Sequence, residues 1–463
     1  MKTKLNQPAL LFIVFISIIS CNKDEAFKKV AASGENQNAA AFAKPNIIII
    51  LSDDIGYEIP TYTGGESYST PNLDYMAANG TQFTQSHTAP LCFPSRAMLL
   101  TGKYNFRNYT TWGVLETKNR TFANLAKQAG YTTCMAGKWQ CDGGGPSITA
   151  FGFEKYLVSN PYEYDYIDSG AIRFYKDPML FENGAYWPTS KTKGKYGDDL
   201  IRDYMFKFID SVKTIKPFFI YWAPNLVHEP FCPTPDDPQF ATWNSKQAKK
   251  PGDTIYFPSM VKYQDKLIGQ LRQKLVDAGI ANNTIIIWQG DNGTDADIHS
   301  KWKGQVIGGS KSSSTEAGTH VPMLAYCPGK IPAGLVDTSL ISLVDYMPTV
   351  ADLMQTSIPI TYGKQDGISF APQFSGDFSN VRPWIFCHFR GAGANENKPM
   401  NLRRWMNDDT YKQYDSLPNL GFSKKFFNIR LDPAEKKAIA PNKMTAKEKQ
   451  ISQQYMANMK TLK

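Results

Sequence analysis

Two short runs constrain this chain more than anything else in it: Asn46–Leu51 (NIIIIL) and Thr284–Trp288 (TIIIW). Neither alternates apolar with polar residues, and both are dense in β-branched side chains, as strands buried on both faces are. Tyr131–Ala136, Pro217–Trp222 and Pro322–Cys327 read the same way. Between these runs lie helical periods at Asn72–Gly80, Thr121–Gly130, Asp198–Val212 and Val261–Ala278, the last stopped by Gly279. Strands alternating with helices predict an α/β fold, a large mostly parallel sheet sandwiched by helices, over residues 45–365. The texture then changes. Pro383–Phe389, Lys424–Arg430 and a capping box opening at Thr445 predict a smaller α+β subdomain over 366–463.

The polar residues at the strand ends come next. NIIIIL runs into Ser52-Asp53-Asp54, and TIIIWQG runs into Asp291-Asn292-Gly293. In an open parallel sheet, ligands bind beyond the carboxyl ends of the strands. Asp53, Asp54, Asp291 and Asn292, delivered there together, supply hard oxygens for one divalent cation. Ser-Asp-Asp can also cap a helix, and Asp-Asn-Gly is a hairpin-turn signal. Their occurrence after two buried strands favours the metal.

The N-terminus has a different character. Lys2 and Lys4 precede an apolar run, Ala9–Ile19, too short to span ~30 Å of hydrocarbon as a helix. Residues 1–20 therefore read as a signal peptide. Ile18-Ile19-Ser20-Cys21 resembles a bacterial lipobox, which implies export, lipidation of Cys21 and anchorage in the periplasm or on the outer cell surface. Residues 21–44, polar and Ala-rich, read as the tether. The remaining six cysteines lack the close pairing of a zinc or disulfide framework. A net charge of +9 without a basic run does not argue for nucleic acid, so no nucleic-acid partner is expected, while the charge suits a polyanionic substrate.

Cys92 stands in Leu91-Cys92-Phe93-Pro94-Ser95-Arg96, followed by Ala97-Met98-Leu99-Leu100-Thr101-Gly102. Cys-x-Pro-Ser-Arg before a Leu-Leu-Thr-Gly helix resembles the signature of the formylglycine-dependent sulfatases, of the alkaline phosphatase-like superfamily. The likeness continues in order. Asp53-Asp54 and Asp291-Asn292 match the family's metal pairs, and Ala136-Gly137-Lys138-Trp139 its Gly-Lys-Trp-His segment. PNLVHEP (224–230) carries His228, and GGSKSSSTEAGTHVP (308–322) carries Lys311. The match runs from about Pro45 to Pro328, with the tail resembling the family's C-terminal subdomain only loosely.

The resemblance implies a sulfatase that hydrolyses sulfate esters of a carbohydrate, acting at chain ends. A maturation enzyme would oxidise Cys92 to formylglycine, whose hydrate attacks sulfur. One cation, expected to be Ca²⁺, would sit among Asp53, Asp54, Asp291, Asn292 and residue 92. Arg96 would stabilise the formylglycine oxygen, and Lys138 and Lys311 would hold the sulfate. His228, since imidazole titrates near working pH, would protonate the departing oxygen. Trp112, His299, His388 and Arg390 are candidates for the pocket mouth.

The pattern breaks at one position. Where the family has His after Lys-Trp, to deprotonate the second hydroxyl, this chain has Gln140, which cannot accept a proton. Three other readings compete. A P-loop in Gly304–Ser312 fails because Ser310 stands where Gly is required. A phosphodiesterase or phosphatase of the same superfamily needs Ser or Thr at position 92 and further His/Asp ligands. An inactive glycan-binding lipoprotein derived from a sulfatase would explain Gln140 but not the intact Cys92, Arg96 and metal candidates.

Overall fold

A computed structural model describes residues 44–141, 147–159, 174–244, 254–391, 402–416 and 421–462. The segments expected to be signal peptide and tether, Cys21 included, lie outside the described residues. Among the described residues, no helix is long and apolar enough to cross a membrane.

The predicted strands form, shifted by a residue or two: β1 (Asn46–Ser52), β3 (Thr132–Lys138), β7 (Phe218–Ala223), β8 (Thr284–Gly290) and β11 (His320–Tyr326). Others join them: β2 (Thr81–His87), β4 (Lys155–Ser159), the two-residue β5 and β6 (Phe181–Glu182, Ala185–Tyr186) and β12 (Leu335–Ser342). A separate hairpin comprises β9 (His299–Trp302) and β10 (Gln305–Gly308). The ten-stranded sheet has the order β12-β2-β11-β8-β1-β7-β3-β4-β5-β6. Its centre, β8-β1-β7-β3-β4, is parallel throughout. β11 runs antiparallel to both of its neighbours, so the sheet is mixed.

Ile47 to Leu51 are all 0% exposed, which is why the run does not alternate. Burying each such side chain contributes about 1.5–3 kcal/mol. Helices cover the sheet: α1 (Pro71–Ala78), α2 (Cys92–Thr101), α3 (Phe122–Gln128), α4 (Gly197–Val212), α5 (Phe257–Asp277) and α6 (Tyr346–Leu353). On α5, Met260, Leu267, Ile268, Leu271 and Leu275 join Ile48, Ile50 and Trp222 of the sheet in one core.

The tail forms an antiparallel sheet in the order β13 (Ile385–Phe389), β14 (Arg403–Asn407), β15 (Tyr411–Tyr414) and β16 (Phe426–Asn428). The helix predicted from Thr445 is α7 (Ala446–Thr461), opened by the Thr445–Glu448 capping box. At its other end Arg404 Nη2 donates to the carbonyls of Met459 and Leu462 (2.8 and 3.1 Å), satisfying acceptors that a helix end leaves open.

Candidate active site

β1 and β8 are hydrogen-bonded neighbours in a register that sets Ser52 beside Gly290. The residues that follow therefore emerge together. Asp291 N donates to Ser52 O (2.9 Å), and Asp54 N donates to Asp291 Oδ1 (3.0 Å). Asp54 takes a left-handed backbone (φ 57°), a conformation Asp tolerates better than most residues. Asn292 Nδ2 donates to Asp54 Oδ1 (2.7 Å). Asp53, Asp54, Asp291 and Asn292 all have zero exposure.

Cys92 opens α2, and Arg96 lies one turn on, on the same face. Arg96 is wholly buried. Its Nη2 reaches Asp53 Oδ2 and Asp291 Oδ2, each at 3.2 Å, while Nη1 donates to Lys138 O and the Tyr221 hydroxyl. Lys138 ends β3, with its Nζ 2.5 Å from Asp53 Oδ2. Gly137 before it has φ 106°, and a Cβ there would fall 1.9 Å from Ala223 O, so only glycine lets β3 close on β7 at this point. Lys311 Nζ donates to Asp54 Oδ2 (2.6 Å). His228 Nδ1 faces Glu229 O (2.6 Å) and must donate to it, which turns Nε2 toward Asp54 Oδ2, 3.9 Å away.

The fold thus brings these residues together. Donor atoms of Asp53, Asp54 and His228 lie within 4.8 Å of one another, as do those of Asp53, Cys92 and Asp291. Gln140 follows Lys138-Trp139 in a left-handed conformation (φ 54°), with its buried Oε1 lacking a hydrogen-bond partner. The four pocket-mouth candidates fare differently. Trp112 packs on Phe93 (5.4 Å between centroids), next to Cys92. His388 is buried in β13 against Phe106, two residues before Arg390, and His299 stands exposed on the β9–β10 hairpin.

The electrostatics follow from burial. Desolvation raises the Asp53 carboxyl, but Lys138, followed by His228, Arg96 and Lys311, hold it below the ordinary range. Burial, reinforced by Asp53, pushes Asp291 well above that range. His228 departs from expectation: burial, then Lys138 and Lys311, bring it down to about 3, so the ring is neutral near pH 7. An anion seated between the two lysines would oppose that shift. Burial also raises the Cys92 thiol, making the unmodified residue a poor nucleophile.

The residues fit a divalent cation. Asp53 Oδ1 and Asn292 Oδ1 are buried without a hydrogen-bond partner, and the surrounding donors are hard carboxylate and amide oxygens. If this set binds calcium, adding Ca²⁺ to chelated protein raises its thermal stability, by ~2.7 kcal/mol at one hundred times Kd. Asp291→Asn weakens that response. Identical melting with and without Ca²⁺ would count against the site.

Sequence reasoning missed the supports behind this cluster. Ser159 Oγ donates to Asn225 Oδ1 (2.6 Å), Asn225 N donates to Asp198 Oδ1 (2.9 Å), and Gln264 Nε2 donates to Leu226 O (2.7 Å). Each joins residues far apart in the chain, and no local motif announces any of them.

A mixed sheet that delivers buried carboxylates from adjacent strand ends, under a helix that begins at Cys92, places the chain in the alkaline phosphatase-like superfamily. Within it the chain belongs to the sulfatase family, whose family model matches residues 45–356, and it is a sulfuric ester hydrolase. It is 30% identical over 415 residues to arylsulfatase G of Rattus norvegicus, spanning 80% of this chain and 76% of that protein. It is 31% identical over 382 residues to N-acetylgalactosamine-6-sulfatase of Canis lupus familiaris, spanning 76% of this chain and 70% of that one. A structure solved in complex with its substrate D-glucosamine-2-N,6-O-disulfate superposes with a TM-score of 0.72. That match covers 90% of this chain and 98% of the other; at 20% identity it speaks for the fold.

Proposed function

We propose that this enzyme removes sulfate esters from a sulfated carbohydrate at chain ends, with residue 92 as formylglycine and one divalent cation, Ca²⁺. The observation that carries the reading is the convergence of Cys92, Arg96, Lys138, His228 and Lys311 on the carboxylates of Asp53, Asp54 and Asp291. Oxidised and hydrated, residue 92 supplies a nucleophilic hydroxyl, and a cation held by Asp53, Asp54, Asp291 and Asn292 supplies charge neutralisation at the sulfate.

The chain's own residues do the rest. Arg96 ties Asp53 to Asp291 from the buried side, fixing the oxygens before substrate arrives. Lys138 and Lys311 present ammonium groups to the sulfate oxygens. Each now rests on a neighbouring carboxylate, Lys138 on Asp53 and Lys311 on Asp54. His228 Nε2, the ring nitrogen not engaged by Glu229 O, bears the proton for the departing sugar oxygen once the bound anion offsets the lysines. Gln140 offers its amide to residue 92 without accepting a proton.

A carbohydrate substrate is supported by the sulfated sugars named for the relatives above, and by the chain's positive charge. We also propose lipid anchorage at Cys21 after export, on the strength of the basic, apolar and lipobox-like segments before it. The test is a panel of defined sulfated mono- and oligosaccharides, with protein matured by a co-expressed formylglycine-generating enzyme. Sulfate release from terminal residues, and not from internal ones, is expected. Failure on every member of the panel with residue 92 fully converted, as judged by peptide mass, would overturn the reading.

A further inference from the structure

The loop that carries Lys311 is held from two sides. On one side are backbone contacts of the large sheet's own loops: Gly309 N to Ile298 O (2.8 Å), Lys311 N to Thr294 O (2.9 Å) and Ser312 N to Pro90 O (2.8 Å). On the other side stands the C-terminal sheet. Ser314, fully buried, is grasped at both of its oxygens. Its carbonyl accepts from Lys412 Nζ on β15. Its hydroxyl lies 2.7 Å from the Tyr414 oxygen and 3.4 Å from Arg403 Nη1.

The proton directions are determined. The Glu435 carboxylate only accepts, so Tyr414 gives its one proton to Glu435 Oε2 (2.5 Å), and the Ser314 hydroxyl donates to Tyr414 while accepting from Arg403. Lys412 completes the arrangement by pairing with Glu435 Oε1 at 2.7 Å, both side chains having no exposure. A buried ion pair is a poor device for general stability, because desolvation offsets most of its attraction. What it does here is hold Lys412 and Tyr414 against the carbonyl and the hydroxyl of one residue in the loop that carries Lys311.

We propose that Lys412 and Glu435 form a clamp that positions Lys311, making the C-terminal sheet part of the sulfate-binding apparatus. Lys412 is a positioning residue: it acts through the Ser314 carbonyl, three residues from the ammonium that contacts the site. The inference rests on the reading that Lys311 binds sulfate. It reaches beyond that reading by assigning a role in sulfate recognition to residues about a hundred positions further along the chain.

The experiment compares Lys412→Met/Glu435→Gln, which removes both charges together, with Lys311→Ala and with the triple variant, all as matured enzyme. Readouts are competitive inhibition by inorganic sulfate, kcat/KM on one sulfated sugar, and near-UV circular dichroism for the fold. A loop misplaced by about an ångström should raise the sulfate inhibition constant about tenfold and lower kcat/KM by roughly 10- to 100-fold. The same changes should add nothing once Lys311 is alanine, because the clamp works through it. Effects that multiply in the triple variant, or an unchanged inhibition constant in the folded double variant, overturn the clamp. Should the double variant not fold, Lys412→Arg, which keeps the charge beside Glu435 but moves the donor from the Ser314 carbonyl, must shift sulfate inhibition in the same direction or the clamp is likewise overturned. Lys311→Ala with unaltered sulfate inhibition would instead strike at the assignment of Lys311, a distinguishable failure.

Discussion

Cys92→Ser, produced beside a maturation enzyme that acts on cysteine, is expected to fold and to bind inorganic sulfate while losing turnover by about 10⁴-fold or more. The reasoning is steric and chemical. Position 92 is 5% exposed at the first turn of α2, and serine is slightly smaller than cysteine, so the buried position accommodates it. Serine nevertheless cannot supply the geminal hydroxyls of a hydrated aldehyde. The unmodified thiol would fare little better, since burial holds it protonated. Sulfate release and sulfate inhibition are measured on the same preparation. Activity retained within tenfold of the parent would mean a different nucleophile.

The second large effect separates two proton movements. His228→Ala should suppress the first-turnover burst of desulfated sugar by roughly 10²- to 10⁴-fold, because a sugar alkoxide leaves poorly without a proton. An aryl sulfate, whose phenolate leaves unaided, should suffer far less. Gln140→Ala should act at the other end of the transferred sulfate, slowing steady-state turnover more than the burst. Its left-handed backbone and unpartnered Oε1 are consistent with a side chain held for a partner that arrives with the reaction. Burst and steady state falling in equal measure in Gln140→Ala would show that Gln140 acts in transfer or in folding instead.

The parts of the site legible in the sequence are those that chemistry confines to short segments. Isoleucines buried on both faces announce β1 and β8, and the acids that follow them have nowhere to go but the end of the sheet. Orientation was not legible: His320–Tyr326 is nearly as apolar as the parallel strands at the sheet's centre, and side-chain burial does not depend on strand direction. β2 escaped notice because Thr, Gln, Ser and His make up most of its TQFTQSH sequence, a composition tolerated because β11 and β12 flank it. The low affinity of His228 for protons was hidden too, since it comes from Lys138 and Lys311, 90 and 83 positions away. The Lys412–Glu435 pair carries no local motif, and only the folded chain sets it against Ser314.

The pairing of Ser52 with Gly290 reaches beyond catalysis. Hydrogen-bonded strands keep a separation of about 4.8 Å whatever their side chains. The distance between the two acidic pairs is thus a property of the backbone, inherited from the sheet and indifferent to the loops above it. Segments that touch the sugar are free to lengthen, shorten and change composition without detuning the centre that breaks the ester. A family built this way can diversify its menu of glycans while its chemistry stands still.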